Sequence, residues 1–183
     1  MPELAIVVSG LPASGKTTVG KAIAERLSLP FLDKDDFLEA LFESDGIGDL
    51  LWRQELSQKS NQAFCNAAKA HERVVLVSHW RPLNVEGSSG TPTEWLNTAF
   101  FNVIEVYCQC PVEEALLRFT SRTRHPGHRD QDRDRQELAA SFEKFANALP
   151  LQLGNTLTVN TQSDSEMERS VERVTERILQ LIA

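Results

Sequence analysis

Residues 5–18 read AIVVSGLPASGKTT, and this stretch decides the fold. Its first half is apolar and β-branched, which predicts a strand, and the apolar residues that follow Lys16 recur at helical spacing. The turn between them has the pattern G-x-x-x-x-G-K-[ST], with Gly10, Gly15, Lys16 and Thr17 at the fixed positions. The stretch therefore predicts a strand, a phosphate-binding loop and a helix, in that order.

The chemistry of such a loop points to a nucleotide. Backbone N–H groups at the positive end of a helix dipole can replace the water around phosphates, and Gly10 and Gly15 permit the close backbone approach. Lys16 supplies a charge for the β- and γ-phosphates, and the Thr17 hydroxyl offers a ligand to Mg²⁺. We therefore expect ATP and Mg²⁺ as cofactors. The expected binding residues of the loop are Gly10, Pro12, Ala13, Ser14, Gly15, Lys16, Thr17 and Thr18.

Composition narrows the class of protein. The 183 residues, 41% hydrophobic and 25% charged, are typical of one globular domain spanning residues 1–183. A net charge of −7 disfavours a nucleic-acid partner. No apolar run approaches the roughly 20 residues of a membrane span, and no basic segment precedes the first apolar run, so we expect a cytoplasmic protein without membrane contact. The oligomeric state stays open.

Strand-like and helical patterns alternate along the chain. This alternation predicts an α/β fold, with a five-stranded parallel sheet covered by helices on both faces and ligands at the carboxyl ends of the strands. The predicted strands are residues 4–8, 31–32, 74–77, 103–107 and 157–159.

Three segments between and after the strands are also assigned. Residues 50–73 are predicted to be helical, and residues 86–92 are predicted to form a flexible loop. A C-terminal amphipathic helix is predicted to begin with a capping box of Ser165 and Glu168.

A cluster of carboxylates follows the second strand. Asp33, Asp35 and Asp36 repel one another, which favours a nearby cation or a role as proton acceptor. In phosphoryl transfer a carboxylate can accept the proton of the attacking hydroxyl, and we assign this role of general base to Asp35. Helix capping is the alternative for the cluster, and Asp36 is expected to cap the next helix or to lie in its first turn.

Together, the loop and the Lys34-Asp35-Asp36 sequence resemble the P-loop kinases of small molecules. This group includes chloramphenicol phosphotransferase, gluconate kinase and shikimate kinase, with the kinase domain of polynucleotide kinase as a cousin. The resemblance implies a P-loop NTPase fold with a helical lid, and it implies by position that Asp35 activates the acceptor hydroxyl. Polynucleotide kinases carry an arginine three residues after that aspartate, where this chain has Leu38.

The third strand ends in Ser78, where many P-loop proteins carry an aspartate for Mg²⁺. We therefore expect Thr17, with water and Asp33 or Asp35, to hold the metal. His79, Trp80 and Arg81 come next. They are expected to bind the acceptor, although a structural histidine and a surface ion pair of the arginine are the alternatives.

A lid is predicted at approximately residues 118–135. There a helix runs into a basic segment broken by Pro126-Gly127 and is followed by a second helical pattern. Arg118 and Arg122, one turn apart, are expected to contact the nucleotide, while Arg122 and Arg124 stabilise charge on the transferred phosphate. A solvated charged hairpin is the alternative. His125 and His128 are assigned to loop geometry or substrate contact rather than to a metal.

These patterns favour an ATP-dependent kinase that phosphorylates a hydroxyl of a small molecule. Its expected catalytic residues are Lys16, Asp35, Arg122 and Arg124. Its expected substrate-binding residues are Asp35, His79, Trp80 and Arg81. The alternatives are a nucleoside or polynucleotide 5′-hydroxyl kinase and a non-catalytic ATP-binding module that works as a switch.

Overall fold

The computed structural model describes residues 1–83 and 90–183, and it contains all five strands that the sequence predicts. The observed strands are β1 (Leu4–Gly10), β2 (Phe31–Asp33), β3 (Arg73–Val77), β4 (Asn102–Gln109) and β5 (Asn155–Asn160).

Helices follow or separate these strands. They are α1 (Lys16–Leu27), α2 (Lys34–Asp45), α3 (Leu50–Lys69), α4 (Leu96–Ala99), α5 (Val112–Ser121), α6 (Arg135–Ala146) and α7 (Asp164–Ile182). Two short 3-10 turns lie between α5 and α6, so the predicted order of helix, broken tip and helix is confirmed.

The strands form one sheet in the order β2-β3-β1-β4-β5, and every neighbouring pair is parallel. The predicted α/β fold of a P-loop NTPase is therefore confirmed. Side chains alternate across the sheet, so each face has its own core. Ile6 of β1 packs with α1 and α7 on one face, whereas Val7 packs with α3 and α4 on the other.

A third apolar cluster lies above the carboxyl edge of the sheet. Phe119 of α5 and Phe142 of α6 pack edge to face with their ring centroids 5.6 Å apart, and both rings are buried with Leu11. The pair α5 and α6 therefore stands as a small helical unit over the phosphate-binding loop.

The local predictions for helix caps and for the loop before α4 have different outcomes. Asp33 caps α2, because its side chain accepts from the backbone N–H of Asp35, and Asp36 lies in the first turn, which is one of the two positions expected for it. The cap of α7 is Ser163, bonded to Glu166, two residues before the predicted capping box. Of the predicted loop 86–92, residues 86–89 lie outside the described residues. Thr91 exchanges backbone hydrogen bonds with residues 79 and 81, so it is held in place.

The cysteines are free thiols, and Cys108 and Cys110 are buried. Among the described helices, none has the length and apolar content that crossing a bilayer requires.

A buried carboxylate ties the middle of the sheet to the chain before β5. Glu105 of β4 is 0% exposed, and four donors surround its two oxygens. Oε1 accepts from the Ser9 hydroxyl at 2.6 Å and from the Leu151 backbone at 2.7 Å. Oε2 accepts from the Gln152 backbone at 2.9 Å and from the Thr156 hydroxyl at 3.0 Å. Burial of the Glu105 carboxylate is tolerated because both of its oxygens accept hydrogen bonds. The four donors in turn have these oxygens as their acceptors, so they would lose a partner without them.

We expect Glu105→Gln to lower the free energy of unfolding by about 3 kcal/mol, because an amide NH₂ would face donors that need an acceptor. Urea denaturation measures this value. The matched control is Glu168→Gln on the exposed side of α7, which should change stability by less than about 0.5 kcal/mol. Equal stability of both variants would show that the four hydrogen bonds contribute nothing net.

Candidate active site

The phosphate-binding loop is shaped by two glycines with positive φ. Gly10 has φ 142°, and a Cβ there would lie 2.8 Å from the carbonyl oxygen of Cys108, so no larger residue fits without movement. Gly15 has φ 88° and precedes α1, whose first turn has no side-chain cap and no acidic residue. The N–H groups of this turn are therefore available to an anion, which fits a nucleotide phosphate.

Lys16 lies beneath this loop and is 9% exposed. Its Nζ donates to the carbonyl oxygens of Leu11 at 2.6 Å and Gly10 at 3.1 Å. Burial lowers the pKa of Lys16 to about 8, although the nearby carboxylates Asp35 and Asp33 act in the opposite direction. The lysine is thus a buried cation bonded to neutral carbonyls.

Thr17 and Asp33 form an oxygen pair beside the loop. The Thr17 hydroxyl donates to Oδ2 of Asp33 at 2.7 Å, and burial raises the pKa of Asp33 despite this hydrogen bond. Hard cations such as Mg²⁺ take oxygen ligands, so this pair fits a magnesium ion that is also held by phosphates and water. Among the described residues, no group of three or more His, Cys, Asp or Glu side chains could hold a metal by itself.

The end of β3 does not contribute to that oxygen pair. Ser78 instead bonds the Thr91 hydroxyl at 2.5 Å, and Thr91 bonds Asn61 of α3 at 3.1 Å. Of the two carboxylates that the sequence leaves open for the metal, Asp33 is the one in contact with Thr17.

Asp35 lies in the first turn of α2 and is paired with the lid. Arg124 forms an ion pair with Asp35 and a second one with Asp130 at 3.2 Å. Burial acts to raise the pKa of Asp35, but the positive charges of Arg124, His128 and two lysines outweigh burial and hold it below its ordinary value. The carboxylate is therefore ionised at neutral pH.

The other two predicted lid arginines have different surroundings. The Arg122 guanidinium stacks over the Phe119 ring at 4.7 Å, and burial and neighbouring cations lower its pKa. Arg118 pairs with Glu114 at 2.7 Å and donates to the backbone oxygens of Thr161 and Gln162. Arg118 thus lines the cleft while fixing the turn after β5.

The lid tip rests on α2. The ring of Phe42 stacks on His125 with centroids 5.2 Å apart and meets the edge of His128 at 5.5 Å. His128 also contacts Glu39 at 2.8 Å, and His125 contacts Glu43 at 3.0 Å. The two histidines therefore hold the tip against α2, and His128 also lines the cleft, so the alternative of substrate contact stays a prediction for His128.

The residues after β3 are split between the cleft and the core. His79 lines the cleft beside Phe145, 4.5 Å away between centroids, and burial together with Lys16 and Arg133 lowers its pKa to about 3. Trp80, predicted to bind substrate, instead lies in the core, 3% exposed, with its indole N–H bonded to the Val8 carbonyl. The predicted acceptor role of Trp80 therefore needs correction, whereas that of Arg81, which is half-buried next to it, stays a prediction.

One cleft of about 560 Å³ extends from the loop to α3, and its lining includes Lys16, Thr17, Asp33, Asp35, His79, Arg118, Arg122 and Arg124. The structure adds Lys34, Arg53 and Arg133 to its wall, none of which the sequence reasoning selected. One signal was present. Arg53, Ser57 and Asn61 recur every four residues and form a polar stripe on α3 that faces the cleft.

Comparison with known proteins gives consistent results. A family model described as shikimate kinase matches residues 12–182. The shikimate kinase of Burkholderia thailandensis is 37% identical over 99 residues, which cover 42% of this chain and 54% of that enzyme. The matched stretch thus spans about half the length of this curated relative.

Two solved structures share the architecture. A protein of Chloroflexus aurantiacus with a provisional kinase name is 27% identical and has a TM-score of 0.76. The superposed residues cover 98% of this chain and 97% of that protein. The shikimate kinase of Bacteroides thetaiotaomicron is 21% identical and has a TM-score of 0.61. The superposed residues cover 96% of this chain and 98% of that enzyme, and the two share the same fold. Because the family model spans nearly the whole sequence, the chain belongs to the shikimate kinase family.

Proposed function

We propose that the chain is an ATP-dependent kinase that transfers the γ-phosphate to a hydroxyl of a small, negatively charged molecule. The observation that carries this proposal is that the phosphate-binding loop and Asp35 open onto the same cleft. Family membership supports the reaction class, since the matched relatives are named as kinases.

The nucleotide half of the cleft supports ATP as the phosphate donor. The uncapped N-terminus of α1 and the ammonium of Lys16 would bind the phosphates. Thr17 and Asp33 would hold Mg²⁺, which when bound supplies charge neutralisation to the phosphates. Arg122 and Arg124 lie on the lid side of the same cleft, where guanidinium groups can donate to the oxygens of the transferred group.

The acceptor half supports Asp35 as the proton acceptor. As the hydroxyl oxygen bonds to the γ-phosphorus, the bond from that phosphorus to the bridging oxygen breaks and ADP leaves. The hydroxyl proton passes to the Asp35 carboxylate, which is ionised and free to accept it once Arg124 moves toward the phosphate.

The acceptor is inferred to be an anion because its half of the cleft carries the cations Lys34, Arg53 and Arg133. Shikimate, a hydroxylated carboxylate that gives several matched relatives their name, is therefore the first compound to assay. The polynucleotide alternative is not supported, since Leu38 is buried in the cleft wall where that class carries an arginine. A non-catalytic switch could use the ion pair of Asp35 with Arg124, but it would not require the Asp35 carboxylate to face the cleft beside the phosphate-binding loop.

Asp35→Asn should lower kcat by about 10²–10⁴-fold, because the amide cannot accept the proton, while the affinity for ATP stays within a few-fold. Coupled measurement of ADP release and calorimetry with ATP test the two parts. Asp36→Asn, an exposed neighbour in the same helical turn, is the control and should retain activity. Comparable losses of ATP binding and turnover in Asp35→Asn would contradict the assignment as general base.

Lys16→Met should weaken ATP binding and depress turnover by about 10²-fold, whereas the exposed Lys21→Met should not. Because the pKa of Lys16 is about 8, the wild-type protein should bind ATP less tightly as the pH rises through 8 and the ammonium loses its proton. Lys16→Arg should remove this pH dependence, since arginine stays protonated. A wild-type affinity that is constant across this range would contradict the titration of Lys16 near pH 8, and an unchanged affinity in Lys16→Met would contradict its role in binding the phosphates.

Arg124→Met should raise the pKa of Asp35, because it removes the leading charge that holds this pKa down. The acidic limb of kcat/KM, which reports the free enzyme, should therefore move to higher pH, and kcat should fall. Arg135→Met, an exposed lid arginine, is the control. An unmoved acidic limb would mean that the ion pair with Arg124 does not govern the base.

A further inference from the structure

Lys34 is a buried cation with too few partners. The residue is 7% exposed and lines the cleft between Asp33 and Asp35. Its Nζ donates to the hydroxyl of Ser57 on α3 at 3.1 Å, and no other hydrogen bond to it occurs among the described residues. An ammonium carries three donors, so two of them are unused.

Arg53 has the same deficiency one helical turn away. Its Nε is buried and has no hydrogen-bond partner within the part of the chain that the structure describes. Arg53 and Ser57 are four residues apart on α3, so the guanidinium and the ammonium bonded to Ser57 face the same part of the cleft. Buried charges are costly unless an opposite charge reaches them.

The carboxylates of the cleft are already committed. Asp33 accepts from Thr17, and Asp35 is paired with Arg124. Seven cationic side chains but only two carboxylates line the described wall of the cleft. A magnesium-bound triphosphate would neutralise part of this excess at the loop, but it would leave donors of Lys34 on α2 and of Arg53 on α3 without a hydrogen-bond partner.

We propose that Lys34 and Arg53 together bind a pair of negative charges on the acceptor, so that the preferred acceptor is a hydroxyl compound bearing either two carboxylates or one phosphomonoester. This inference rests on the proposed function and narrows its substrate class. Lys34 is the specificity residue: Arg53 binds one anionic group, and the Lys34 ammonium distinguishes a dianion from a monoanion. Asp35, next to Lys34 in the chain, is then adjacent to the acceptor hydroxyl.

Two matched pairs of small acceptors test the inference by calorimetry with a non-hydrolysable ATP analogue and Mg²⁺ at saturation. L-malate is compared with L-lactate, and glycerol 3-phosphate with glycerate. At least one dianion should bind about tenfold tighter than its monoanionic partner. The pair that shows this difference identifies a dicarboxylate or a phosphomonoester as the source of the charge.

The variant Lys34→Met, which keeps most of the side-chain length and removes the charge, should reduce this preference to less than about threefold, and Lys34→Arg should retain most of it. Both variants should melt near the wild-type temperature and bind the ATP analogue within about twofold. Monoanions that bind as tightly as dianions, an unchanged preference in Lys34→Met, or no measurable binding of either dianion at millimolar concentration would overturn the inference.

The inference and the proposed function can fail separately. If Lys34→Met phosphorylates shikimate with unchanged kcat/KM and dianions show no preference, the inference is wrong and the kinase assignment stands. If wild-type protein binds no ATP analogue at all, the proposed function itself fails.

Discussion

The parallel direction of all five strands is the constraint on which the candidate site depends, because it brings the carboxyl ends of the strands to one edge. β1 ends in the loop that buries Lys16, and β2 ends at Asp33, two residues before Asp35. The close contact of Gly10 with the Cys108 carbonyl holds the loop against β4. Residues far apart in sequence therefore meet without any special long-range signal between them.

The fold could be predicted because local patterns encode it. The buried run of β1, the spacing of apolar residues in α7 and the glycines of the loop each determine their own structure. Local patterns do not encode whether a residue just after a strand faces the core or the cleft, because that orientation depends on the path of the chain that follows. Trp80 pairs as an isolated bridge with Thr91, which continues the extended alternation of β3 and turns the indole toward the core. A sequence pattern ending at Val77 does not contain this information.

The acceptor half of the cleft could be predicted only in part, for a related reason. Asp35 stands in a conspicuous carboxylate cluster, but Arg53 and Arg133 acquire their surroundings from helices that fold back over the sheet. A chain with a net charge of −7 nonetheless concentrates positive charge in this one cleft. The acidic composition disfavours a nucleic-acid partner, which stays a prediction, and a net charge summed over the whole chain does not reveal a local cluster of cations.

The packing of residues 125–128 against Phe42 of α2 has a mechanical consequence. Phe42, which contacts His125, His128 and the backbone at Gly127, lies seven residues after Asp35 on the same helix. Seven residues span two turns, about 10 Å along the axis, and a helix of this length resists bending. Any swing of the lid tip that carries Phe42 with it must also rotate the carboxylate at the other end. Through this helix, the position of the tip at residues 125–128 is therefore coupled to the orientation of the Asp35 carboxylate.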